Sequence, residues 1–208
     1  MNRAAIVHLD ADLIVVNKPA GLLSVPGRGA DKQDCMVHRL QSQGHPEALI
    51  VHRLDMATSG LLLLARSAAA QRALSMAFEQ RQVGKRYVAV VQGLIVNAGP
   101  DWQQIDLPLL ADWPNRPRQR VDHAHGKPSV TRWRVLSHDI AAGTTRLELQ
   151  PLTGRTHQLR VHLLALGHPI LGDALYGPQP PAQNRLHLHA CHLSLPERGL
   201  SLDCPESF

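Results

Sequence analysis

One carboxylate, Asp55, stands in the segment Val51-His52-Arg53-Leu54-Asp55-Met56-Ala57-Thr58-Ser59-Gly60, with a basic pair before it and a polar turn after it. A carboxylate can act as a nucleophile or as a general base. In a loop it is more often an ordinary turn or cap residue, and the residue type alone does not separate these roles. With His52 or His157 it could serve a hydrolase, although no serine elbow or second acid accompanies it. A second chemical feature is basic. Between Pro114 and Arg134 stand Arg116, Arg118, Arg120, Lys127, Arg132 and Arg134 against the single acid Asp122, whereas Asp101, Asp106 and Asp112 precede them with no basic residue between. A local basic segment of this kind suits phosphate contact better than overall charge does. A third is the histidine set His187, His189 and His192 near Cys191. Alternation along a strand would put His192 on the face opposite the other two, and no HExxH or paired CxxC supports zinc, so no metal site is expected.

These residues need elements to hold them. Ile6–Leu9 and Leu13–Val16 read as strands around the turn Asp10-Ala11-Asp12, and Pro19 stops the second. Residues 33–43 read as a short helix. Gly60–Ala65 reads as a strand buried on both faces. Ser67 caps a helix predicted to run to about Gln82, with Ala70, Leu74, Ala77 and Phe78 at helical spacing. Lys85–Val91, Val130–Val135 and Thr145–Gln150 read as strands, the last with Thr145, Leu147 and Leu149 inward. Thr156–Leu166 reads as a helix closed by Gly167. Leu186–Leu195 and Leu200–Asp203 read as closing strands. Strand runs with inserted helices imply an α+β fold with a mainly antiparallel, mixed central sheet flanked by helices. No repeat, low-complexity tract or linker divides residues 1–208, so one domain is expected.

Composition bounds the class. The 208 residues are 44% hydrophobic and only 3% aromatic, so the core must be aliphatic. The formal charge of +5 fits a polyanion partner. The longest strongly apolar run, Leu61–Leu64, is far short of the ~20 residues of a membrane span, and the amino terminus reaches a charge too soon for a secretory signal. Three cysteines without CxxC spacing point to a reducing compartment, so a cytoplasmic location is expected.

The Asp55 block, His-Arg-Leu-Asp-x-x-Thr-Ser-Gly, resembles the active-site motif of the RluA family of pseudouridine synthases. The resemblance extends over nearly the whole chain. Asp12–Leu22, with Asn17-Lys18-Pro19-Ala20-Gly21, looks like the family's first motif and reads as a strand with a Pro-Gly turn. Lys85-Arg86-Tyr87-Val88-Ala89 and Leu149–His162, followed by Leu166–Asp173, match two more blocks. The match is sharpest, through Asp112-Trp113-Pro114-Asn115-Arg116-Pro117 and Gly126-Lys127-Pro128, to the small branch that lacks an appended S4 domain.

The resemblance implies an RNA-modifying isomerase with no cofactor and no metal. Asp55 would be the catalytic residue, Arg155 the arginine that pairs with it, and Tyr87 the ring against the target base. A guanidinium binds a carboxylate through a fixed fork and keeps it ionised. A ring face is worth about 1–3 kcal/mol per stacked base. Arg53 would fill the space of the flipped uridine, with His52 beside it, and Arg116, Arg118, Arg120 and Lys127 would grip RNA. Arg160 could face solvent or RNA. The implied substrates are 23S rRNA and the tRNA anticodon stem-loop, with no membrane and no protein partner. Asp55 would act as a nucleophile at C1′ or as a base at C2′, and older proposals place the attack at C6. A catalytically silent RNA-binding protein is the alternative from another class, disfavoured because Asp55, Tyr87 and Arg155 are all present.

Overall fold

The computed structural model describes residues 3–96, 101–178 and 183–208. Its backbone packs as two compact units, one formed by Met1–Lys85 with Ala190–Ser207 and the other mainly by Arg86–His189. In chain order the first unit holds β1 (Ala5–Leu9), β2 (Leu13–Lys18), α1 (Met36–Ser42), β3 (Leu49–Ile50), β4 (Ser59–Ala65) and α2 (Ala68–Glu79). The second holds β5 (Gly84–Gln92), β6 (Gln103–Asp106), β7 (Leu109–Ala111), β8 (Gln119–Val121), β9 (Val130–Asp139), β10 (Thr144–Pro151) and α3 (Gln158–Ala165). The chain then returns to the first unit through β11 (Leu188–Leu195) and β12 (Leu200–Asp203). The fold is α+β, and the β1–β2, β2–β4, β3–β4, β5–β10, β9–β10, β6–β9, β7–β8 and β11–β12 ladders are all antiparallel, as the sequence predicts.

In the first unit the strand order is β1-β2-β4-β11, with β12 on β11. Asp10 Oδ1 accepts from the Asp12 and Leu13 amides at 2.8 and 2.9 Å, which turns β1 into β2. All seven residues of β4 are buried, which explains an unbroken apolar run in place of alternation. The register sets Leu13 opposite Ala65 and Lys18 opposite Gly60, so the end of β2 lies beside the start of β4. Gly60 has φ 110°, and a β-carbon there would fall 2.4 Å from the Ala190 carbonyl oxygen on β11. Ser67 caps α2 by accepting from the Ala70 amide at 3.1 Å. The helix ends at Glu79, short of Gln82, where Arg81 turns left-handed at φ 61°.

In the second unit the order is β5-β10-β9-β6, with β7–β8 a separate hairpin. Thr145, Leu147 and Leu149 of β10 are fully buried, as alternation predicts. Glu148, on the opposite face, is buried too because Arg86 and Arg134 both pair with it, at 3.1 and 2.6 Å. α3 starts at Gln158, two residues later than spacing suggests, because His157 is left-handed at φ 54°. Gly167, at φ 83°, closes it where expected.

Candidate active site

Asp55 sits in the loop between β3 and β4, half-buried, with exposed Arg53 two residues before it. The loop is pinned at nearly every residue. His52 Nε2 accepts from the Leu63 amide at 3.0 Å. Leu54 exchanges two bonds with the Ser24 hydroxyl, which donates to its carbonyl at 2.8 Å and accepts from its amide at 3.2 Å. The Asp55 carbonyl accepts from the Thr58 amide at 3.1 Å, and the Met56 carbonyl from the Gly21 amide at 2.8 Å. A carboxylate on so constrained a backbone is pre-positioned, which is what a reacting group requires.

Lys18 completes the loop's support, and its part was not legible in the sequence. Its side chain is wholly buried, and its ammonium donates to the carbonyls of Pro19, Leu22 and Met56 at 2.9, 2.8 and 3.2 Å. Burial pushes its pKa down to about 7, and attraction to the Asp55 carboxylate opposes that fall. The one available signal was a lysine closing an otherwise apolar strand.

His52 is half-buried. Its ring stacks on Phe78 at 4.3 Å between centroids and 21° between planes, and the Lys85 ammonium lies 5.7 Å from the same phenyl centroid. Burial, aided by the Lys85 charge, drives the His52 pKa down to about 3. Its ring is therefore neutral and serves as an acceptor for the backbone.

Tyr87 and Arg155 belong to the second unit. Tyr87 is half-buried on β5, in register with Leu149 of β10. Arg155 is exposed in the loop before α3, and its Nε donates to the Pro128 carbonyl at 3.3 Å. Gln158 builds that loop: its Oε1 accepts from the Thr153 hydroxyl at 2.7 Å and from the Arg155 amide at 3.0 Å. Its Nε2 donates to the Val130 carbonyl and the Thr131 hydroxyl, both at 3.0 Å. The left-handed backbone of His157 costs a residue with a side chain about 1–2 kcal/mol, so other contacts must hold it.

Arg160 is turned away from solvent. It is buried and forms a two-pronged pair with Asp173, Nε to Oδ2 at 2.7 Å and Nη2 to Oδ1 at 2.6 Å. That pairing, the Arg160 guanidinium and the neighbouring amides of Leu175 and Tyr176 hold the Asp173 carboxyl below its ordinary pKa despite burial.

β7 and β8 form an antiparallel hairpin: Arg116 and Arg118 lie on the segment that joins the two strands, which includes a short 3-10 turn at Trp113–Asn115, and Arg120 lies on β8. The Arg116 guanidinium lies 3.9 Å from the Trp113 ring centroid, and Trp113 is 67% exposed. Arg118 and Arg120 are exposed, and Arg120 pairs with Asp122 at 2.9 Å. Lys127 is exposed beside the hairpin, its backbone bonded in both directions to Leu109. Of the histidines considered for metal, His192 bonds Asp203 at 2.7 Å and His187 stacks on Phe208.

Residues 12–165 match the family model described as RNA pseudouridylate synthase. The chain belongs to that family. It is 48% identical over 198 residues to the dual-specificity RNA pseudouridine synthase RluA of Yersinia pestis, covering 93% of this chain and 94% of that one. It is 49% identical over 192 residues to the protein of the same name from Escherichia coli K12, covering 91% and 85%. Among solved structures, human RNA pseudouridylate synthase domain containing 1 superposes with a TM-score of 0.81 at 31% identity, covering 98% of this chain and 84% of the human one. Membership gives the enzyme class: an RNA pseudouridine synthase, with RNA as substrate. No described helix is long and apolar enough to cross a membrane.

Proposed function

We propose that this protein converts specific uridines to pseudouridine in 23S rRNA and in the tRNA anticodon stem-loop, with Asp55 as the catalytic residue. The observation that carries the site assignment is the Asp55 loop itself, a half-buried carboxylate on a backbone fastened from both sides, with the Lys18 ammonium close enough to feel its charge. The choice of RNAs rests on the relatives' name of dual-specificity synthase. Both RNAs suit a cytoplasmic enzyme.

The uridine leaves its stack at a cost of roughly a few kcal/mol, less in a loop than in a duplex. Arg53, exposed and carried on a fixed backbone, fills the space left behind, and its planar guanidinium can both stack and bind phosphate. His52 acts beneath it as a support. Tyr87 meets the flipped base, and Arg155 pairs with Asp55. The C1′–N1 bond breaks, the uracil turns in place and C5 bonds to C1′. The C5 hydrogen leaves as a proton and N1 takes one up, so no redox partner is consumed. Asp55 acts either at C1′ as a nucleophile or at C2′ as a base. Arg116, Arg118, Arg120 and Lys127 hold the RNA backbone.

The test is release of tritium from 5-tritiated uridine transcripts of both RNAs, with Asp55→Asn in parallel. Release from both by the wild type and from neither by the variant is expected. Release from neither RNA by the wild type would sink the substrate assignment, and release that survives Asp55→Asn would sink the site.

A further inference from the structure

Tyr176 lies outside every role given so far, yet its hydroxyl joins two of them. The residue is 6% exposed and packs with Leu109 and Val161. Its oxygen accepts from the amide of Gln119 at 2.7 Å. Gln119 opens β8, between Arg118 and Arg120. The same oxygen lies 2.7 Å from His157 Nδ1. The two rings meet edge to face, with centroids 5.6 Å apart.

The peg is itself fixed at its base. The amides of Leu175 and Tyr176 donate to Asp173 Oδ1 at 2.9 and 3.0 Å, and Asp173 is gripped by Arg160. The Arg160 and Arg118 guanidinium carbons lie 5.0 and 5.5 Å from the Tyr176 ring centroid. The hydroxyl thus cannot drift. It holds the hairpin strand at one end and, at the other, the left-handed residue two positions after Arg155.

We propose that Tyr176 is a positioning residue that makes the seating of the basic hairpin and the turn carrying Arg155 one mechanical unit, so that RNA held by the hairpin sets the arginine. The proposal rests on the reading above that the hairpin holds RNA and that Arg155 serves Asp55. A left-handed residue with a side chain persists only where its surroundings over-determine it. Tyr176 supplies that constraint at His157.

The test uses Tyr176→Phe, which keeps the ring and removes only the hydroxyl. Amide hydrogen exchange on the free protein should speed up both in peptides covering Gln119 and in peptides covering residues 155–158. Faster exchange at Gln119 alone, or at neither place, would overturn the link. In the tritium-release assay kcat should fall about tenfold with a smaller change in KM, as misplacement of a catalytic group does. Adding His157→Gly, which accepts the left-handed turn without support, should recover most of the lost kcat. An unchanged kcat, or a loss that His157→Gly leaves untouched, would overturn the positioning role. A wild type that releases no tritium would instead overturn the reading beneath it, and the exchange measurement would still decide the link.

Discussion

The Lys18 ammonium donates to the carbonyl of Met56 at 3.2 Å, which ties the residue after Asp55 to the end of a strand 38 positions earlier. The Gly21 amide reaches the same carbonyl. The Asp55 loop is therefore held from the β2 side by one charge and one backbone bond. Lys18→Met should retain the fold and lower kcat, by roughly ten- to a hundredfold if the loop shifts by about 1 Å. Single-turnover tritium release on either RNA measures it, and an unchanged rate would remove Lys18 from the site's support.

The same lysine sets a pH dependence. Its folded pKa, about 7, lies below the ordinary 10.5, so between those values the unfolded chain holds more protons than the folded one. Stability from this group rises with pH across that window. Urea midpoints taken near pH 7 and near pH 10 should show a less positive trend for Lys18→Met than for wild type. Equal trends would contradict the buried charge.

His52 gives the corresponding window on the acid side. With a folded pKa of about 3 against 6.5 unfolded, its contribution to stability is complete above 6.5 and is lost as pH falls toward 3. Replacing it with Ala should cost about 1–3 kcal/mol at neutral pH, because the buried Leu63 amide loses its acceptor. The variant should also lose less stability on acidification. A neutral-pH midpoint equal to wild type would refute this role.

The legible and illegible parts of the molecule divide on physical grounds. β2, β4 and α2 could be read because a continuous apolar run, and helical spacing after a Ser cap, are local signals. β6, β7 and β8 were missed because they are three or four residues long and interrupted by Pro108, Pro114 and Pro117. The start of α3 was misplaced because His157 adopts a conformation that residue type does not advertise. Asp55 stood out through its neighbours in sequence. Lys18, Asp173 and Tyr176 did not, since their partners are backbone atoms or side chains brought near only by folding.

The Arg160–Asp173 pair is a clear stability test. Asp173→Asn leaves a buried guanidinium without its counter-charge and should cost about 3–5 kcal/mol. Thermal unfolding read by circular dichroism checks it. A loss below about 1 kcal/mol would mean the pair is solvated.

The hairpin arginines should act on binding. Replacing Arg116, Arg118 and Arg120 with Ala should weaken RNA affinity and reduce the slope of log K against log salt by up to about 3. Filter binding across a salt series decides it, and an unchanged slope would refute phosphate contact by the hairpin.

Gly60 has a consequence for how the molecule is made. Its backbone lies against Ala190, on the strand that completes this part of the sheet. The ribosome delivers the Asp55 loop long before that strand, with the second unit translated between them. At ordinary translation speeds that interval is on the order of 10 s. Throughout it, the β4 edge waits for its neighbour. The strand that follows the Asp55 loop is thus made well before the neighbour that its Gly60 end packs against.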